Sequence, residues 1–369
     1  MLPFFSTVWV NPRPHEEPDA VMNKPVAQPV CEAVQRNCHI ADARHAGDDT
    51  VCIYLMKMRE FFRWEHGFGF SARLPNEPLS NWLLEREALW SELEEEDYAD
   101  VPVAGEQVPP FETEAVNRHL LEEGLVYSAG LGQRARPHFF LARLVACEER
   151  DGYRILTCGE EYARDLSAPP AMVQGTTIFL RREALRALLW QKLEEWRWNR
   201  PDNALGAAFG CYDFEGRLED ALEAMTDQEL DTVRLHEIGE ITAGRALGPQ
   251  WREMLAALPR SRSELVARAV KDLYADCLTT LPELVAARRA PSLHYYVANL
   301  TGMRKVLFPA LLAAWRQWRE GGDWDVFARL IDTGRAHWRE AATRLLAAHE
   351  RGPAALQQAT QDLIDKHTL

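Results

Sequence analysis

The sequence predicts a mainly α protein in two parts: an α+β N-terminal domain with a small antiparallel sheet, followed by an all-α helical bundle domain. Three observations carry that expectation. Composition rich in β-formers is concentrated in LVYSAG, HFFLARLVACEE and YRILTCGEE between residues 125 and 161. A helix-like run ending near Trp198 is followed by Asn199–Pro201, Asp202 and Asn203, the best domain boundary in the chain. Beyond it almost every segment has helical apolar spacing with Gly or Pro between segments. The expected division is an extension over residues 1–28, an α+β domain over 29–199 and an all-α domain over 200–369.

Composition narrows the classes of function. The chain has 369 residues, 47% of them hydrophobic, and a net charge of −14. At roughly 150 residues per domain that length suits two domains. The negative field disfavours nucleic acid and anionic membranes as partners. Seven cysteines without a CxxC pair argue for reduced thiols in the cytoplasm. No apolar run approaches the ~20 residues of a membrane span. Residues 1–28, with five prolines and no basic n-region, read as a poorly ordered extension and not as a signal peptide.

In chain order, Val30–Glu65 is long enough for two helices, or for one bent at Gly47. If it is one helix, Asp42, His45, Asp49, Cys52, Met56 and Glu60 share a face. LSNWLLEREALWSELEEED reads as an amphipathic helix with Leu83, Leu84, Trp90 and Leu93 inward, and VPVAGEQVPP as a linker. FETEAVNRHLLEEG is a short helix closed by Gly124. ERDG at 149–152 reads as a hairpin turn, and TTIFLRREALRALLWQKLEEWRWN as a strand running into a helix. Helices are then expected over Leu218–Met225, Thr226–Leu247, Pro249–Ala257, Ser261–Leu278, Leu281–Arg288, Tyr295–Trp318, Trp324–His349 and Pro353–Asp365.

The stretch TDQELDTVRLHEIGEITAGRAL, Thr226–Leu247, carries the strongest chemical signal. Thr226 with Glu229 reads as a capping box. Glu229, Val233, His236, Glu240 and Leu247 fall within roughly 60° on a helix, so carboxylates and an imidazole share the apolar stripe. Burying such a stripe costs several kcal/mol unless its charges are paired or coordinate a metal. Glu229, His236 and Glu240 are therefore candidate metal ligands, with Asp272, Asp276, Glu283 and His294 as possible partners. Mixed imidazole and carboxylate ligation suits iron or manganese and leaves zinc open. HEIGE is not HExxH, so a metalloprotease lacks its motif. The second dense group, His39, Asp42, His45, Asp48 and Asp49, could supply ligands or a His–carboxylate acid–base pair. Both groups also have a plain alternative in caps, salt bridges and hydrogen-bonded edges.

QRNCHIADARHAGDDTVCIYLMKMREFFRWE together with LHEIGE resembles an uncharacterised bacterial family of two-part proteins, with a domain of unknown function in each part. The resemblance covers most of the chain after residue 30. It implies a soluble bacterial protein and carries no activity, substrate or site residue.

Two functions from different classes follow. The first is an enzyme with a His/carboxylate site on the C-terminal bundle, with Fe, Mn or Zn as the candidate metals, acting on a small molecule that the sequence does not identify. The second is a helical adaptor that binds a protein partner. A site shared between the His39–Asp49 group and the Glu229 helix, across the domain interface, is a third arrangement.

Overall fold

The computed structural model describes residues 27–132 and 135–369. The extension expected over 1–28 lies outside them apart from residues 27 and 28, where the first helix starts. Helices α1 (Ala27–His45) and α2 (Val51–Glu65) are separated by a single 3-10 turn over Ala46–Asp48 that holds Gly47. Helix α2 restarts at Thr50, whose hydroxyl accepts from Ile53 N. The face that one continuous helix would have made from Asp42 to Glu60 therefore does not exist. Helix α3 (Asn76–Leu93) buries Trp82, Arg86, Trp90 and Leu93. Leu84, expected inward, is 66% exposed, because two positions along a helix turn it about 200° from Trp82.

The expected linker at Val101 is a hairpin of β1 (Val101–Val103) and β2 (Glu106–Val108). Ala104 and Gly105 take φ of 51° and 82°, the left-handed pair that a tight hairpin turn needs. Val101 and Val103 are buried with Val34 and Cys38 of α1. After α4 (Thr113–Leu120) come β3 (Leu125–Leu131), β4 (Pro137–Arg150), β5 (Tyr153–Arg164), β6 (Ala171–Gln174) and β7 (Thr177–Arg181). Their spatial order is β3-β4-β5-β7-β6. The β4–β5 hairpin turns at Asp151–Gly152, as the Asp-Gly pair predicted, and pairs Arg150 with Tyr153.

The sheet is larger than expected and not wholly antiparallel, since β5 and β7 run parallel. The short strand β6 leaves no period-2 signal and occupies the edge beyond β7. Alternate residues serve opposite faces. Phe139 and Leu141 pack in the α1 cluster, whereas Phe140 and Ala142 join Leu156, Cys158 and Phe179 on the other side.

Helix α5 (Arg182–Asn199) follows β7 directly, and α6 (Ala204–Phe209) follows α5. The long helix α7 runs from Leu218 to Leu247, so the two helices expected there are one. Thr226 lies inside it and donates to Leu222 O at 2.6 Å; it caps nothing. The bundle continues with α8 (Pro249–Ala257), α9 (Arg262–Leu278), α10 (Thr280–Ala286), α11 (Ala290–Ala298) and α12 (Gly302–Leu307). It closes with α13 (Pro309–Gly321), α14 (Asp325–Glu350) and α15 (Pro353–Lys366). Tyr295–Trp318, expected as one helix, is broken into parts of three, the last restarting on Pro309 at its first turn. Trp251, Phe308, Phe327 and Trp338 form the centre of the bundle core. Among the described residues no helix is long and apolar enough to cross a membrane.

Two contacts place α7. Its outer side, with Leu230, Val233, Ile238 and Ile241, covers Tyr153, Ile155, Ile178 and Leu180 of the sheet. On α9 it packs backbone to backbone at Gly239, where a Cβ would come within 2.7 Å of Ala275 O.

Candidate active site

A cavity of about 350 Å³ lies along α7, closed by Pro170 and Ala171, by Leu185 and Leu188 of α5, and by residues of α10, α11 and α12. Helix α7 contributes Glu229, Thr232, Val233, His236 and Glu237. Two of the three residues singled out on this helix thus share one cavity wall, as their seven-residue spacing requires.

His236 is held from behind. Its Nδ1 lies 2.8 Å from Asp276 Oδ1, the partner available at one end of the i,i+4 pair on α9. Asp276 is wholly buried, yet each of its oxygens is served. Thr280 Oγ1 donates to Oδ1 at 3.0 Å and Tyr296 OH to Oδ2 at 2.7 Å. Arg304 Nη1 stands 3.6 Å from Oδ2. Burial opposes the charge on both partners, but their mutual attraction wins: His236 is raised to about 10 and Asp276 is held below its ordinary range. His236 is thus an imidazolium at neutral pH. With Nδ1 committed to Asp276, Nε2 is the nitrogen left for a ligand.

Glu229 differs. It is fully buried, Ser292 Oγ donates to its Oε1 at 2.7 Å, and its Oε2 has no hydrogen-bond partner. Burial raises its carboxyl to about 7. Its role is not capping, since α7 starts well before it. Glu240 turns to Lys271, whose ammonium binds Oε2. Near it, burial and the Glu240 charge raise Asp272. Of the other partners considered, Glu283 is exposed and His294 accepts from the Trp315 indole at 2.9 Å.

The N-terminal residues are spread over separate tasks. His39 is buried between Arg86 and Trp90, with Arg86 Nη1 2.6 Å from its Nε2. Burial, then the Arg86 charge, lower its pKa to about 3, so it is neutral. The lone pair that a metal would use faces a guanidinium. Asp42 is wholly buried, accepting from Arg136 Nη2 at 2.8 Å and from Leu166 N. Burial and the nearby Asp165 raise its pKa. His45 pairs with Asp48 at 3.4 Å, and Asp49 with Lys57 at 2.7 Å. Among the described residues no hydrogen bond or ion pair joins His39, Asp42, His45, Asp48 or Asp49 to Glu229, His236 or Glu240. Among the described residues no three His, Cys, Asp or Glu side chains are grouped to hold a metal ion. At Glu240 a cation would first have to displace the Lys271 ammonium.

Sequence reasoning missed Tyr296, Thr280, Ser292 and Arg304, which complete the site. They lie on short helices of the bundle and have no spacing relation to α7. Only Asp276 carried a signal, through its i,i+4 pairing with Asp272 on a predicted helix.

No curated relative and no solved structure matches the chain. Two family models do match: the N-terminal domain of a family of unknown function, DUF6866, over residues 29–181, and the C-terminal domain of the same family over residues 186–367. Together they span both the sheet and the helix α7 cavity, and the chain belongs to the DUF6866 family.

Proposed function

We propose that the α7 cavity is a small-molecule site and that the protein is an acid–base enzyme. Glu229 exchanges the proton, and His236 stabilises negative charge developing on a substrate oxygen. One observation carries the reading: a fully buried carboxylate with an unpartnered oxygen shares a cavity wall with a histidine held by a buried aspartate. A carboxyl near 7 is matched to proton transfer at neutral pH. An imidazolium near 10 keeps its proton and serves as a charged donor. Their Cα atoms stand about 10 Å apart along the helix axis, so the substrate reaches across several atoms, and a conjugated carbonyl compound, whose oxygen takes up the charge left on the carbon that gives its proton to Glu229, fits both roles. All seven cysteines are free thiols, which suits the cytoplasm.

The test is ligand-observed NMR with a library of small carbonyl compounds, followed by turnover assays on the binders. Binding should vanish in Val233→Trp, which fills the cavity. In Glu229→Gln binding should persist while turnover is lost. Binders indifferent to Val233→Trp would sink the proposal.

A second reading, a helical protein that docks a protein partner, rests on a separate observation. The first turns of α2 expose Val51, Cys52, Ile53, Leu55 and Met56 together. It expects a partner bound by the wild type to be lost in Leu55→Glu/Met56→Glu while the α7 cavity is unaffected.

A further inference from the structure

We propose that a second cavity, between α2, the end of β5 and α5, binds a small aromatic monocarboxylate. This cavity of about 260 Å³ is separate from the one along α7 and shares no lining residue with it. Rings of Trp64, Phe68 and Phe70 form its apolar wall, and Arg164 and Arg186 its polar one. Its volume falls just below the ~300–1,000 Å³ of typical small-molecule pockets, which suits a ligand of one or two rings.

The argument for an anion rests on unused donors. Arg164 is buried, and its Nε has no hydrogen-bond partner. Its Nη1 lies 3.4 Å from Glu161 Oε2, an oxygen without a hydrogen bond of its own, while Oε1 takes Arg181 Nε at 2.7 Å. Behind it, Nη1 and Nη2 of Arg181 are also without hydrogen-bond partners, while Arg186 Nε makes only a 3.4 Å ion pair with Glu223. The acids of the wall have their donors. Glu60 is bound by Arg59 and Arg63 at 2.7 and 3.0 Å, and Glu219 by Arg186 at 2.9 Å. Glu183 accepts from Glu161 N at 2.9 Å. Donors left over in a buried wall ask for an acceptor. A carboxylate supplies one with bidentate geometry. The three glutamates in the same wall repel a second negative charge and so disfavour a phosphate dianion. The aromatic preference follows from the rings: Arg164 already lies 5.6 Å from the Trp64 centroid and Arg186 5.2 Å from that of Phe70, so a planar ring extends existing stacks.

The experiment is titration calorimetry of the full chain with benzoate and indole-3-acetate, with benzamide as the uncharged control. The acids should bind with Kd of roughly 1 mM or tighter, and benzamide about tenfold more weakly. Arg164→Gln should cost about tenfold in acid affinity. Gln191→Trp, which fills the cavity from α5 without touching the ion pairs, should abolish binding. His236→Gln should leave it unchanged, which separates this site from the α7 cavity. The proposal is overturned by equal binding of acid and amide, by no binding at about 10 mM acid, or by binding that survives Gln191→Trp.

Discussion

Nδ1 of His236 lies 2.8 Å from Oδ1 of Asp276, which joins α7 to α9 through a half-buried imidazole and a wholly buried carboxylate. Asp276→Asn should therefore do two things. It should cost roughly 3–5 kcal/mol of stability, because the imidazolium loses its counter-charge. It should also bring the His236 pKa down from about 10, because its largest raising partner is gone and burial is then opposed only by the Glu237 and Glu240 charges. In the wild type the stabilisation is complete below pH 6.5 and lost as pH rises towards 10. NMR titration of the His236 ring checks the shift, and adding His236→Gln to Asp276→Asn should recover part of the stability.

Glu229→Gln should raise stability at pH 8 and change little at pH 4. The folded carboxyl titrates near 7, above its ordinary 4.5. Its contribution is therefore complete below 4.5 and lost as pH rises through 7. The amide cannot ionise and still accepts from Ser292 through its carbonyl oxygen. Thermal unfolding across pH measures the difference, and parallel curves for the two proteins would contradict it.

Arg136→Gln should destabilise more at pH 8 than at pH 5. Asp42 is wholly buried, Arg136 is its cationic partner, and burial together with Asp165 raises its pKa. Protonation at lower pH thus relieves the carboxylate left alone by the substitution. The high-pH loss should approach ~3–5 kcal/mol in urea unfolding.

Gly239→Ala should separate α7 from α9 and cost about 1–3 kcal/mol. The added methyl would meet Ala275 O at 2.7 Å, a backbone atom that cannot step aside. Gly244→Ala on the same helix meets nothing within 4 Å and should stabilise by up to ~1 kcal/mol. Equal effects at the two positions would show that the close approach is immaterial.

The sequence made several helices legible where a Pro or Gly marked an end, though Gly302 and Pro309, which start α12 and α13, were read through. Pro249–Ala257 falls as the pattern predicts, and Ser261 caps α9 through Glu264 N. The β4–β5 hairpin was legible from Asp-Gly alone. What failed had local causes. Thr226 and Glu229 imitate a capping box, but Leu218–Met225 has good helix formers and no breaker, so the helix runs through it. Ala104–Gly105 is a weaker hairpin signal than Asn-Gly, and its strands are short. At the site, the wheel correctly put Glu229 and His236 on one face. It could not show that Glu240, one turn further on, meets Lys271, because a wheel ranks neighbours along one helix and is blind to what packs against it.

The cover that α7 gives to the sheet bears on where this chain can be cut. Tyr153, Ile155, Ile178 and Leu180 precede residue 182, whereas Leu230, Val233, Ile238 and Ile241 follow it. A truncation between the two matched regions would leave a bare aliphatic strip on either product. Each fragment would be prone to stick to itself, and a soluble preparation calls for the uncut span.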